Sequence, residues 1–263
     1  MISIALICEG VSEARIISYI VCRYLNDNEV VINNIQPSIV YDNGQEKQDS
    51  VGGWAQVLEH CTTETICDAM ATNDYLVIQI DTDACIQQSY DVNIYDDNMI
   101  KVSDEILYNR VVDRLKRDID GDIFTQYADK ILFAICINET ECWLLPLYYA
   151  SSPKKCSSTT NCIYKLNQKL STEGMGIPED NKNAPEVIRV YLKILKNLTH
   201  RNIPIVAGYN YGFATFLDQL KKIEDVSTEK YCNFFFLPNT VFAPALFYQD
   251  YLKRNLRTAY RRG

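Results

Sequence analysis

The sequence predicts an α/β protein built on a mostly parallel sheet, and three observations carry that expectation. Aliphatic runs suited to buried strands recur at Ile2 to Cys8, Tyr75 to Ile80 and Lys130 to Ile137. Stretches with the 3.6-residue apolar spacing of packed helices lie between them. Each run ends abruptly in polar, acid-bearing sequence. Strands covered on both faces read as continuous apolar runs, and their alternation with helices is the pattern of a parallel layer.

Taken in order, Ile2 to Cys8 ends at Glu9-Gly10, and Ser12 is placed to cap a helix beginning at Glu13, with apolar positions at Ile16, Ile17, Ile20, Tyr24 and Leu25. Val30 to Tyr41 reads as one or two strands broken near Asn33-Asn34 and Pro37, and Gly44 to Gly53 as a polar loop. Trp54 to Met70 has helical spacing through Val57, Leu58, Cys61 and Ile66. The second buried strand runs directly into Asp81-Thr82-Asp83, and a helix is expected from Asp104 to about Ile119. The third strand ends at Asn138-Glu139-Thr140-Glu141. Beyond it, Ser151 to Asn161 and Ser171 to Ala184 read as loops, Pro185 to Leu198 and Phe213 to Ile223 as helices, and Ile203 to Ala207 as a short strand. Phe242 to Tyr260 reads as a final helix, with Pro244 tolerated in its first turn. The change of texture near residue 150 divides a core, 1–150, from a mainly helical extension, 151–263, packed on it.

Of the 263 residues, 47% are hydrophobic and 23% charged, an ordinary globular composition. Lys and Arg number 26 against 34 Asp and Glu, a formal charge of −8, which excludes a cationic shell for wrapping nucleic acid but not a local basic patch. The run from Lys253 to Gly263, with Lys253, Arg254, Arg257, Arg261 and Arg262 and no acid, is such a patch or else a solvated helix end. His60 and His200 are the two histidines, too few and too far apart for a His-rich metal site. Ten cysteines without a CxxC pair or a secretory leader point to reduced, mostly buried thiols in a cytoplasmic protein. The most membrane-like window, Ile131 to Ala150, holds Glu139 and Glu141, and a charge at a bilayer centre costs about 2.5–3.5 kcal/mol, so no span is expected.

Function enters through the acids. In parallel sheets, ligands bind at the carboxyl ends of the strands. Here Glu9, Asp81 with Asp83, and Glu139 with Glu141 load three such ends, with Glu13 one helical turn past Glu9. Like charges gathered in one crevice raise each other's pKa unless a cation neutralises them. All-oxygen donors favour Mg²⁺ or Mn²⁺. Asp-x-Asp after a strand also occurs in haloacid-dehalogenase-type phosphatases and nucleotide-sugar glycosyltransferases. Cys85 and the upstream Glu-Gly strand argue against the phosphatase, and no sugar-nucleotide site is evident for the transferase.

The strand ending Glu9-Gly10, then Ser12-Glu13, then a second strand ending Asp81-x-Asp83, resembles the Toprim domain. The Glu-Gly-x-Ser-Glu form is similar to the branch found in OLD-family nucleases and in stand-alone Toprim proteins of bacterial phage defence. Ile137 to Leu145, with Glu141-Cys142-Trp143-Leu144-Leu145, resembles the Glu-x-Trp-Leu-Leu segment of RloB-like families, and Gly208 to Leu217 their downstream aromatic helix start. The core resemblance covers about residues 1–145. It implies a Rossmann-like Toprim fold and a Mg²⁺- or Mn²⁺-dependent endonuclease site. Glu9 matches the metal-binding or acid/base glutamate, Asp81 and Asp83 the metal aspartates, and Glu13 and Glu141 second-metal ligands, with Glu139 competing for the last place. Trp143 and Leu144 read as core anchors. The family's lysine near the metals has no evident counterpart, with Lys154, Lys155 and Lys182 as loop candidates.

The absence of a Gly-x-x-x-x-Gly-Lys-Ser/Thr loop means no P-loop ATP site in this chain. By resemblance to the Toprim subunit of the PARIS system, the expected partners are a separate ABC-type ATPase, a nucleic acid substrate (RNA, tRNA in particular, or DNA) and, as an option, a second copy forming a homodimer. The implied role is a toxic effector of antiviral defence. The competing class is a Toprim-like sensor or scaffold that does not cleave.

Overall fold

A computed structural model describes the backbone of residues 1–25, 30–42, 45–48 and 50–235, and the side chains of 1–25, 30–39 and 50–223. The chain begins with β1 (Ile2–Ile7), α1 (Val11–Leu25) and β2 (Val30–Gln36), followed by β3 (Ile39–Asp42), β4 (Gln45–Gln48), α2 (Trp54–His60) and α3 (Thr63–Thr72). β5 (Tyr75–Asp81), α4 (Asp104–Lys116), α5 (Gly121–Tyr127) and β6 (Ile131–Cys136) complete the sheet region. A 3-10 turn at Thr140–Leu144 leads to α6 (Pro146–Tyr149), α7 (Pro153–Cys156), α8 (Cys162–Leu170), α9 (Pro185–Leu195), α10 (Ile203–Ala207) and α11 (Tyr211–Phe235).

Four strands form one all-parallel sheet in the order β2-β1-β5-β6, so the fold is α/β with a helical C-terminal part. Alternation along β1 sends Ile4, Leu6 and Cys8 into one apolar layer and Ala5 and Ile7 into the other. The second layer is covered by α2, α3 and α4, through Val57, Ile66 and Val111. The first is covered by α1 together with α8, α9 and α11, through Ile17, Leu166, Tyr191 and Phe213. Every residue of β6 is buried, and each large aliphatic side chain so placed contributes about 1.5–3 kcal/mol. The residues on either side of position 150 therefore share a core, and Met1–Ile223 forms one compact unit.

Several local expectations need correction. The helix expected over Trp54 to Met70 is two, because Thr62 accepts the Thr65 N–H at 3.3 Å and caps a new helix. The stretch 44–53 is not all loop, since β4 pairs antiparallel with β3. Ile203–Ala207 is a helical turn rather than a strand, with Pro204 at its start where the missing N–H costs nothing. Ser12 does not cap α1, which starts one residue earlier and receives the Ala14 N–H on the Gly10 carbonyl. The expectation of thiols alone is corrected at Cys142 and Cys162, which are joined in a disulfide. The turn after β6 lies against the start of α8 and brings their Cα atoms to 5.1 Å, inside bridging range. The helix expected over Phe242 to Tyr260 and the basic run Lys253 to Gly263 lie outside the described residues. Among the described residues, no helix is long and apolar enough to cross a membrane.

Candidate metal centre

The connection from β1 leads outward to β2, and the chain then returns to place β5 on the other side of β1. The carboxyl ends of β1 and β5 thus flank the point where strand order reverses, the crevice in which open α/β sheets bind ligands. Glu9 and Asp81 occupy those two ends. One Glu9 carboxylate oxygen accepts the Asp81 N–H at 2.6 Å.

Gln79, fully buried in the middle of β5, organises this pair. Its amide oxygen accepts the Glu9 N–H at 3.1 Å, and its amide nitrogen donates to Asp81 Oδ1 at 2.9 Å. The buried Thr140 hydroxyl donates to the same Oδ1 at 2.7 Å. Asp81 therefore enters the crevice with one oxygen anchored. Asp83 sits on the exposed rim, in a loop held to the turn after β6. The Thr82 and Asp83 N–H groups both donate to the Asn138 carbonyl, at 3.0 and 2.9 Å. Asn138 adopts a left-handed conformation, φ 69°, which turns the chain back into the 3-10 turn.

That turn delivers Glu141 into the cluster, fully buried. Its Oε1 accepts a hydrogen bond from the Tyr191 hydroxyl on α9 and lies 3.3 Å from Lys182 Nζ. Its Oε2 is buried without a hydrogen-bond partner. Glu13 lies 3.2 Å from the same ammonium through Oε1, and its Oε2 accepts from Ser12 Oγ at 2.8 Å. The neighbouring Asn183 accepts the Ser12 N–H at 3.0 Å, which pins the loop before α9 across the start of α1. Gly10 is needed for this approach, because a Cβ there would come within 2.6 Å of Glu13 Oε2 and 2.9 Å of Asn183 Nδ2.

Glu139 takes no part. Its Oε1 accepts the N–H groups of Cys162 and Ile163, at 2.6 and 3.2 Å, and so caps α8. Of the three loop lysines, Lys182 reaches the cluster, while Lys155 lies over the Tyr149 ring and Lys154 is exposed on α7. Trp143 is fully buried against Phe213, with ring centroids 4.5 Å apart, the anchoring role its position suggests.

The electrostatics follow from burying so many acids together. Loss of water, offset partly by the Asp81 N–H and reinforced by Glu13 and Asp83, pushes Glu9 up to about 8. Asp81 is raised well above the usual range, by burial first and Glu9 second. Glu141 is raised chiefly by burial, against the pull of Lys182 and Tyr191. Asp83 is also raised by desolvation, opposed by the Ala84 N–H. For Lys182, burial alone would lower the pKa, but Glu13, Glu141 and Asp81 together outweigh it and hold the ammonium charged.

Glu13 and Glu141 contact the Lys182 ammonium, which also acts electrostatically on Glu9, Asp81 and Asp83, so the donor atoms around the crevice are oxygen throughout and one buried oxygen is unpartnered. That donor set fits a hard divalent cation such as Mg²⁺ or Mn²⁺. Among the described residues, the donor atoms that all lie within 4.8 Å of one another are a Glu139 oxygen and the sulfurs of Cys142 and Cys162, which the disulfide joins; the crevice carboxylates are spaced more widely, no three of them coming within that distance. No protein-family model, no curated protein and no solved structure matches the chain.

Gln79, Tyr191 and Asn183 are absent from the sequence-based site. Gln79 carried a usable signal, as the one amide inside Leu76-Val77-Ile78-Gln79-Ile80. Tyr191 and Asn183 carried none, since eighteen tyrosines and a polar loop offer no pattern to single them out.

Proposed function

We propose that the carboxylate cluster at the β1/β5 crevice is the Mg²⁺- or Mn²⁺-dependent active site of an endonuclease with a Toprim-type core. The observation that carries this reading is Glu141, whose Oε2 is buried and unpartnered amid acids that a single lysine does not neutralise. An unpartnered buried carboxylate oxygen is costly unless something else binds it. The resemblance of Glu9-Gly10, Ser12-Glu13, Asp81-x-Asp83 and Glu141-x-Trp143 to the OLD and RloB-like nucleases supports phosphodiester hydrolysis over other uses of such a cation.

In this reading Glu13, Asp81, Asp83 and Glu141 hold the cation, and Glu9 either joins them or carries a proton. A bound divalent ion would supply Lewis acidity and a more acidic water. Glu9, near 8, can hold or release a proton at neutral pH, as an acid/base group must. Lys182 is placed to offset negative charge on a phosphate brought to the cluster. Gln79 and Thr140 orient Asp81, and Tyr191 orients Glu141. The biological reading is a toxic effector of antiviral defence controlled by a separate ABC-type ATPase, with RNA, tRNA in particular, or DNA as substrate.

The test is hydrolysis of end-labelled tRNA, single-stranded RNA and duplex DNA with Mg²⁺, Mn²⁺ or chelator. Cleavage by the native chain that is lost in chelator and in Asp81→Asn is the expected result. Expression toxicity that Glu9→Ala abolishes without lowering the melting temperature would agree with it. Metal-dependent stabilisation without cleavage of any of the three, with the ATPase partner present, would favour a sensor or scaffold instead.

A further inference from the structure

The turn that presents Glu141 is tied to α8 through the very next residue, Cys142, whose partner Cys162 is the first residue of that helix. We propose that Cys142 and Cys162 are a reversible dithiol/disulfide pair, responsive to low-molecular-weight disulfides, that sets how tightly the carboxylate cluster holds its cation.

Three features of the place support this. Both sulfurs are buried, but Cys162 directly follows Asn161, exposed and in the left-handed region at φ 51°, at the end of the loop Ser157-Ser158-Thr159-Thr160. Opening of that loop, which Lys165 fastens at Ser158 and Thr160, is the route by which a small disulfide would reach Cys162. The start of α8 also has a second fastening, the Glu139 carboxylate on the Cys162 and Ile163 N–H groups. Breaking the sulfur bridge therefore frees two side chains without unravelling the helix, which is what reversibility requires. Finally, Cys8, Cys61, Cys85, Cys136 and Cys156 are buried and unbridged, so among the described residues sulfur cross-linking is local to this turn.

The exchange balances with a disulfide as co-reactant. The Cys162 thiolate attacks one sulfur of the small disulfide, whose other sulfur leaves as a thiolate. Cys142, after losing its proton to solvent, displaces the second small thiolate from Cys162. The two cysteines give up two electrons and two protons, and the co-reactant becomes two thiols. In the bridged form the peptide unit carrying Glu141 is held on one side by Trp143 stacked on Phe213 and on the other by Thr140 bonded to Asp81. Reduction loosens the sulfur tether between them and lets Glu141 relax onto Tyr191 and Lys182.

The inference rests on the cluster being a cation site, so the experiment reads the two separately. The full chain is equilibrated with reduced or oxidised glutathione, alkylated and mapped by peptide mass, and Mn²⁺ affinity is measured by calorimetry on each form. Expected are a Cys142–Cys162 bridge in the oxidised sample only and Mn²⁺ binding weaker by about tenfold when reduced, the usual scale for disturbing a ligand's support. Cys162→Ser should show the weaker affinity in both buffers. Alkylation of both cysteines in oxidised glutathione overturns the pair, as does protection of both thiols by Zn²⁺ alone, which would make Glu139, Cys142 and Cys162 a metal site. Equal Mn²⁺ affinity in the two forms overturns the coupling and leaves a structural staple. No Mn²⁺ binding in either form refutes the cation site, while the thiol map still decides the pair.

Discussion

The start of α8 and the crevice between β1 and β5 each receive one glutamate from the same short turn. Glu139, half-buried, spends one oxygen on two backbone N–H groups at a helix end. Glu141, two residues on, is fully buried, with one oxygen shared between a tyrosine and a lysine and the other without a partner. One carboxylate satisfies backbone donors where cap chemistry asks for an acceptor. The other is held in surplus where the protein has too few cations. The side chains are identical, so their places in the turn decide their partners: Glu139 stands just before the 3-10 turn and reaches the α8 backbone, while Glu141 lies inside it and reaches Tyr191 and Lys182.

The sharpest way to break this comparison is to neutralise each member. Glu141→Gln should eliminate the Mn²⁺-dependent rise in melting temperature, and with it any nuclease activity, whereas Glu139→Gln should keep both. The same Mn²⁺ response in the two variants would mean the turn has been assigned the wrong way round. Next in size, Lys182→Met leaves Glu13 and Glu141 without their cation. It should cost about 3 kcal/mol in urea unfolding without divalent ions, the scale for a buried pair that loses one partner. Added Mn²⁺ should return part of that loss. If Lys182→Met unfolds at the native denaturant midpoint, the cluster does not depend on its lysine.

A pH titration sharpens the contrast further. Glu9 is raised from its ordinary 4.5 to about 8, so the folded chain binds the extra proton between those values. Its contribution is fully present below about 4.5 and is lost as the pH climbs through 8, and Asp81, Asp83 and Glu141 are shifted in the same direction. Melting without divalent ions should therefore fall steadily from pH 5 to pH 8, and saturating Mg²⁺ should flatten the slope. A flat profile in chelator would contradict the burial of these acids. The smallest effect belongs to the other glutamate: Glu139→Ala removes the α8 cap and should cost about 1 kcal/mol, independent of Mg²⁺.

Much of this was legible from local pattern. Buried parallel strands announce themselves as unbroken aliphatic runs, and acids at their ends mark the edge where ligands bind, so Glu9, Asp81 and Asp83 could be named from spacing alone. The layer order could not, because no residue of β1 encodes that β5 rather than β2 will supply its acidic neighbour. Glu139 and Glu141 were indistinguishable in sequence, since their difference is one of position in a 3-10 turn, Glu139 at its cap and Glu141 within it. Lys182 stood equal with Lys154 and Lys155 until the fold carried its loop across α1. The Cys142–Cys162 bridge was invisible for a similar reason, as its two residues belong to elements whose contact is tertiary.

The cluster draws Glu9 and Glu13 from the first strand and helix but its ammonium from position 182, with Asn183 and Tyr191 behind it. On a ribosome, which releases domains from the N-terminus onward, all five acids are made well before that lysine. A nascent chain halted between Glu141 and Lys182 carries all five acids without their counter-charge. Completion of the site is thereby timed to the emergence of the chain's later helices, and a fragment released early cannot display the finished arrangement.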